Sequence, residues 1–322
     1  MSKKLFILFL LTTQICVSQI DSLPFRMYKE NFVAHSSIGY NAAPFSLSGN
    51  FGQVDKLKYR ANLNSIMGIG IAYKWFALNI NFKLPGYVRS TSDYGRTNYL
   101  DLGVKFGFKK WFFNIDLHAY RGFGIKNANT ISQDIPVSDR NVLLNDQLNS
   151  FSFSINGYRF NKEEFKMKPA LGIKGRYLEK SSSFYIKYTL NLHGIDAANG
   201  IMPHNYFEND KSIYRSNNIS AFDFGAVPGW AHINNINGWQ YGVLAGLGGV
   251  IQVKAYSFEG TNRGFLGLAP RLDLKLQGGY NVDNWFLMLT SSFDNKSIRF
   301  NEFQYQQVYY YIRLTYGYRF NK

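Results

Sequence analysis

The chain has 322 residues, 46% hydrophobic, 17% aromatic and only 18% charged, with a formal net charge of +15. So few charges argue against an ordinary soluble surface, and no run approaches the roughly 20 apolar residues of a membrane-spanning helix. A membrane protein without such helices has one other form, the closed β-barrel, and 23 Tyr with 28 Phe favour strands.

The N-terminus, MSKKLFILFLLTTQICVSQ, places Lys3 and Lys4 before an apolar run from Leu5 to Leu11 and then small and polar residues. This pattern predicts a secretory signal peptide over residues 1–18, cleaved before Gln19, and a single barrel domain over 19–322. Cleavage removes Cys16, the only cysteine, so the mature chain has no thiol chemistry. Export also argues against nucleic acid as the partner of the basic charge, leaving an acidic partner or anionic lipid headgroups.

Strands are predicted at about 32–41, 64–74, 76–84, 97–108, 111–121, 148–160, 182–195, 219–232, 238–255, 265–280, 285–296 and 305–320. In IMGIGIAYKWFALNINFKL the apolar phase flips at Lys74–Trp75. A turn there pairs Tyr73–Phe76, Ile71–Leu78, Ile69–Ile80 and Met67–Phe82, so apolar meets apolar across the ladder. In YLDLGVKFGFKKWFFNIDLHAY a turn at Lys109–Lys110 pairs Phe108–Trp111, Phe106–Phe113, Val104–Ile115 and Leu102–Leu117, with Asp101 opposite His118 and Lys105 opposite Asn114. The same logic pairs Tyr280 with Trp285 and, more loosely, Trp230 with Trp239. The segment FKMKPALGIKGRY at 165–177 alternates too and reads as a further strand or an inward hairpin arm.

These two clear hairpins, over roughly Leu57–Phe123, resemble an uncharacterised Bacteroidota outer-membrane family, a domain-of-unknown-function family. The resemblance implies an outer-membrane barrel and no established activity.

The expected fold is all-β: one antiparallel transmembrane barrel of about 12 strands, within a range of 10–14, with short periplasmic turns and long external loops at 85–96, 122–147, 196–218 and 256–264. Trp75, Trp111, Trp230, Trp239 and Trp285 fall near the turns, where an aromatic girdle belongs at the lipid–water boundary. Alternation then points Asn79, Asn81, Lys83, Asp101, Lys105, Asn114, Asp116, His118, Lys187, Asp223, Arg271, Asp273, Lys275, Arg313 and Arg319 into the lumen, with a basic surplus. Phe320, near the C-terminus, resembles the signal read by the barrel-assembly machinery.

No serine motif accompanies the Asp101–His118 pair, His193 and His204 lack metal-ligand spacing, and no helix follows the glycines of GVLAGLGGV. The expectation is therefore a non-enzymatic barrel of the Gram-negative outer membrane, without cofactor or metal, in a structural, assembly or narrow-transport role. Its partners would be outer-membrane lipids, lipopolysaccharide and the assembly machinery. An outer-membrane enzyme acting on lipid or lipopolysaccharide is the alternative.

Overall fold

The structure, a computed structural model, describes residues 23–63, 65–86, 89–108, 110–209 and 211–321. The expected signal peptide at 1–18, Lys109 of the second turn and the terminal Lys322 lie outside the described residues.

In chain order the strands are β1 (Phe25–Met27), β2 (Phe32–Ala42), β3 (Phe45–Phe51), β4 (Val54–Arg60), β5 (Ile66–Tyr73), β6 (Phe76–Lys83), β7 (Asn98–Phe108), β8 (Trp111–Ile125), β9 (Leu143–Phe160), β10 (Gly175–Tyr177), β11 (Ser181–Asp196), β12 (Asn218–Ile236), β13 (Trp239–Phe258), β14 (Thr261–Asn281), β15 (Trp285–Arg299) and β16 (Gln304–Phe320). Two four-residue helices, α1 (Thr91–Tyr94) and α2 (Met167–Ala170), lie in connections. Every pairing is antiparallel, and β16 returns to β2, so β2, β5–β9 (five strands) and β11–β16 (six) close a ring of twelve, 1 + 5 + 6.

The outer face is apolar around the ring. Ile69, Ile80, Leu100, Phe153, Leu190, Phe222, Ile251, Leu276, Leu289 and Ile312 are all exposed. So continuous an apolar belt would be untenable in water, and it is the surface a transmembrane barrel turns to lipid.

The predicted ladders of β5–β6 and β7–β8 are those observed, including Tyr73 opposite Phe76 and Asp101 opposite His118. Lys74 turns the first hairpin at a φ of 44°. Two other predicted pairings are corrected. Tyr280 lies opposite Leu287, because Val282 N–H bonds Trp285 O and closes a turn there, although the Tyr280 and Trp285 rings still touch diagonally at 5.4 Å. Trp230 lies opposite Ala245, and Trp239 meets Ile236 across a turn at Asn237–Gly238, with φ of 51° and 88°. Asn-Gly, which tolerates these positive angles, is the stronger turn signal.

The rims also depart in two places from the expected sorting of connections. The 256–264 segment is a tight turn at Glu259–Gly260 joining strands of 20 and 21 residues. On the turn rim, residues 161–180 form a long connection that folds inward. Of the alternating 165–177 stretch, only Gly175–Tyr177 is strand, and it pairs with β1 rather than the wall.

The wall forks on one side. β3 continues β2 along β16 after an interruption at Ala43–Pro44, and β4 then pairs directly with β8 through Tyr59–Ile125 and Arg60–Gly124. Above the short β6–β7 hairpin, two strands thus do the work of four, and the barrel narrows. On another side the wall parts. β14 and β15 pair only up to Asp273–Asp294. Beyond that point Asn295 replaces the ladder: its side chain accepts from Leu272 N–H at 2.7 Å and donates to Pro270 O at 3.3 Å.

Candidate functional site

Among the described residues, buried polar side chains converge in the lumen, which has three layers. At the loop rim an apolar cluster fills the narrowed barrel. Phe45, Leu47, Leu57 and Tyr59 of the β3–β4 hairpin meet Phe123, Leu148, Ile195, Ile219, Ile298 and Tyr305 from the wall. Ile201, Met202, Ile213 and Tyr214 close over them from the 197–217 connection. Phe45 and Tyr59 stack at 4.3 Å, and Tyr59 donates to Ile201 O at 3.0 Å.

The middle layer is ionic. Asp223, fully buried, accepts from Arg271, from Gln252 at 2.8 Å and from Asn191 at 3.2 Å, and His193 Nε2 lies 3.0 Å away. Asp273 accepts from Lys187 at 3.1 Å and from the Tyr185 hydroxyl at 2.9 Å. Asp101 accepts from Arg313 at 2.7 Å, from Tyr99 at 2.7 Å and from Asn41 at 3.0 Å. Buried charges persist only when paired and hydrogen-bonded in this way. Between the groups is a cavity of about 110 Å³ lined by Asn79, Lys105, Asp116, Lys275, Asp294 and Tyr311, among others. Among the described residues Lys105 and Asp116 form no ion pair; both face the cavity, where Asp116 accepts from the Asn114 amide.

At the turn rim the lumen is stoppered by residues 23–31 and the 161–180 connection, joined by the β1–β10 ladder. Phe25, Phe165, Met167 and Tyr177 pack against Tyr158, Phe160, Tyr185 and Leu244 of the wall. Polar links then lock the stopper around its edge. Gln240 donates to Pro169 O and Ala170 O and accepts from Tyr177 N–H. Lys168 donates to Trp75 O and Gly107 O on the far side, each at 3.0 Å. The Arg319 guanidinium, 1% exposed, bonds Gly172 O, Ile173 O, Val282 O and Asn281 Oδ1. Asp283 binds Arg26, Arg176 and the Tyr28 hydroxyl; that hydroxyl, more than either arginine, holds its carboxyl below the usual range. Burial, reinforced by Asp283, pushes Tyr28 up to about 12. Lys174 donates to Lys29 O and Asn31 O, and burial lowers its ammonium to about 8.

The residues singled out from the sequence separate among these layers. Asn79, Asp101, Lys105, Asn114, Asp116, His118, Lys187, Asp273, Lys275 and Arg313 line the cavity, with Asn81 beside them. Asp223 and Arg271 form the buried pair just described. Lys83 instead reaches Thr97 O, and Arg319 belongs to the stopper. His118 lies opposite Asp101 but stacks on Tyr309, and its Nδ1 is 3.6 Å from Asp101 Oδ1, too far for a hydrogen bond. Trp75 and Trp239 are exposed at the turn rim, and Trp230 and the half-buried Trp111 and Trp285 are near it.

Several lumen residues escaped the sequence reading. Ser150, Ser152, Ser154 and Asn156 of β9 point inward, as do Asp294 and Lys296 of β15 and Gln252 of β13. The alternation in NSFSFSIN carried the first set. With Asp294 included, and with Arg319 and Lys83 outside the cavity, the charges around it come close to balance.

Two serine–histidine pairs have geometry of interest. Ser152 is the cross-strand partner of His193, yet its hydroxyl meets Asn191 and Lys296 rather than the ring. On the outer face near the turn rim, Ser182 Oγ lies 2.7 Å from His232 Nδ1, and His232 stacks on Trp230. Among the described residues no carboxylate bonds His232. Nor do three His, Cys, Asp or Glu side chains among them group as a metal site.

A family model described as "Domain of unknown function (DUF4421)" matches residues 19–320. No curated protein sequence matches the chain. Among solved structures the chain is similar to the β-domain of the Bordetella autotransporter BrkA, at 12% identity and a TM-score of 0.43, over 90% of this chain and 100% of that one. It is also similar to an outer-membrane channel from Pseudomonas putida F1, at 9% identity and a TM-score of 0.39, over 94% and 100%. A third is the monoaromatic hydrocarbon channel CymD, at 10% identity and a TM-score of 0.32, over 91% and 90%.

Proposed function

We propose, for a chain that belongs to the DUF4421 family, an integral outer-membrane barrel that is non-enzymatic, closed at rest, and structural or assembly-related in role. The observation that carries this is the double seal. An apolar cluster blocks the loop rim, a hydrogen-bonded stopper blocks the turn rim, and a small polar cavity lies between them. An open pore needs a continuous wet path, and twelve strands leave little room for one. The purified chain is expected to show no steady conductance in a planar bilayer. A large anion-selective conductance, changed by neutralising Arg271 or Lys275, would replace this reading with a pore.

The turn rim is assigned to the periplasmic side, where outer-membrane barrels carry their short turns, and export is assigned to a cleaved signal peptide over 1–18. The resemblance at 57–123 supports a Bacteroidota source. Trp75, Trp111, Trp230, Trp239 and Trp285 would then sit at the inner lipid boundary. Lipids brominated near the headgroup should quench these tryptophans more strongly than lipids brominated at the chain ends. The reverse order would refute the girdle.

Phe320 faces outward on β16 and packs on Tyr318 and Phe32. As part of an assembly signal, its loss should matter more than its packing. Phe320→Ala is expected to lower the amount of heat-modifiable protein reaching the outer membrane several-fold, while the fraction that assembles melts near wild type. Normal accumulation would place the signal elsewhere.

A second reading is an enzyme acting on lipid, favoured by the lipid-facing Ser182–His232 pair. Fatty acid released from phospholipid vesicles, and lost in Ser182→Ala, would establish it. Missing an acid partner for His232, the pair falls short of the arrangement acyl transfer needs.

A further inference from the structure

On the outer face near the turn rim, a groove of about 850 Å³ runs between β9, β11, β12 and β13. Its cause is a gap in the ladder. Ala226 pairs with Gly249 and Gly229 with Gly246, but Val227 and Pro228 have no partners across β13. Pro228 has no N–H to give, and a proline in a central strand marks such a break. Behind the gap stands Tyr185. A Cβ on Gly229 would collide with its ring, and one on Gly246 would come within 2.9 Å of its hydroxyl. The two glycines let that ring fill the window, where its hydroxyl reaches Asp273 in the lumen. Outside the window the lining is Ile186, Trp230, Ala245, Leu247 and Leu272, and Phe184 at the rim end is 69% exposed.

The rim end also carries two cations. Lys110 is engaged with Glu163 at 2.7 Å. Arg159 is exposed and makes no ion pair among the described residues; its guanidinium lies over the Trp111 ring at 6.0 Å. Cations and an indole at the rim, with apolar residues deeper in, match the order of groups along an amphiphile standing in the periplasmic leaflet.

We infer that this groove is a binding site for one glycerophospholipid, its phosphate on Arg159 and one acyl chain over the Tyr185 window. A free forked donor suits a phosphate, and an apolar trough suits a chain. Lipopolysaccharide is disfavoured because the groove lies by the turn rim, away from the external loops. The site rests on the membrane reading above, so the experiment separates the two.

The test uses the full chain, stripped of lipid in detergent and titrated with palmitoyl-oleoyl phosphatidylglycerol, with bound lipid counted by native mass spectrometry. One lipid should be retained after all others are removed. Arg159→Gln should weaken it about tenfold, the scale of one lost charge-assisted hydrogen bond. Ala245→Phe, which fills the trough from its exposed side, should abolish it with Arg159 intact. Diacylglycerol, lacking the phosphate, should bind about tenfold more weakly. Wild-type retention in both variants, equal binding of diacylglycerol, or preference for lipopolysaccharide would overturn the assignment. In the same preparations returned to bilayers, a chain whose only tryptophan is Trp75 reports immersion. Its quenching by brominated lipid, with lipid counts unmoved by the variants, would defeat the groove and leave the membrane reading standing. Absence of quenching would defeat both.

Discussion

Replacing Arg319 with alanine is expected to unseat the turn-rim stopper. The guanidinium bonds Gly172 O, Ile173 O, Val282 O and Asn281 Oδ1 and lies against the Tyr28 and Phe286 rings at 4.5 and 4.9 Å. Each buried acceptor left without a donor costs about 1–3 kcal/mol, and lost packing adds to this. Water entering from the rim offsets part, so the net destabilisation should be about 3–5 kcal/mol. The heat-modifiable form should then convert at a clearly lower temperature, and amides at 172–177 should lose protection from hydrogen exchange. Arg319→Lys should recover only part, because a point charge cannot serve several acceptors set around a planar fork. A variant with wild-type protection at 172–177 would mean the stopper is held by Gln240 and Lys168 instead.

Asp223→Ala strikes the middle layer. The carboxylate is the common acceptor for Arg271, Gln252 and Asn191 and the partner of His193, so its loss leaves a buried guanidinium uncompensated. Removing one partner of a buried pair typically costs about 3–5 kcal/mol. The variant should accumulate poorly as folded barrel. Asp223→Asn, which keeps one acceptor oxygen and the shape, should be milder. Equal yields for Asp223→Ala and wild type would show that the network contributes little and that the wall alone holds the fold.

The wall was legible in the sequence where the physics is one-dimensional. Across Lys74–Trp75 the phase of apolar residues flips, and a flip across a two-residue turn leaves one register. The plan failed where tryptophans served as landmarks, at Trp230, Trp239 and Trp285, since a girdle residue marks a depth and not a cross-strand partner. It failed again at 45–60. There Leu47, Leu57 and Tyr59 point inward while Lys56 and Lys58 are exposed, the reverse of the lipid-embedded strands. A wall that rises out of lipid reverts to the soluble rule, and alternation does not announce the crossing. The same period-two pattern reached lumen-facing residues such as Asp101 and Lys187, and it missed Ser150, Asp294 and Lys296 on strands that alternate as plainly. The stopper lay beyond it, because its bonds join Arg319, Gln240 and Lys168 to backbone carbonyls far away in the chain, which no local period encodes.

The parted seam beside β14 bears on how copies of the barrel meet. Beyond Asp273, the strand presents an open row of backbone groups toward the vacant side, interrupted at Pro270 and occupied by Asn295. Open edges invite addition of another strand. In one membrane, however, every copy inserts with the same polarity, and a twofold axis along the membrane normal reverses the tilt of the second copy's strand. Strands tilted by about 40° in each wall then cross steeply instead of lying edge to edge, so a continuous ladder cannot form between them. Insertion polarity and strand tilt therefore protect this edge from its own kind.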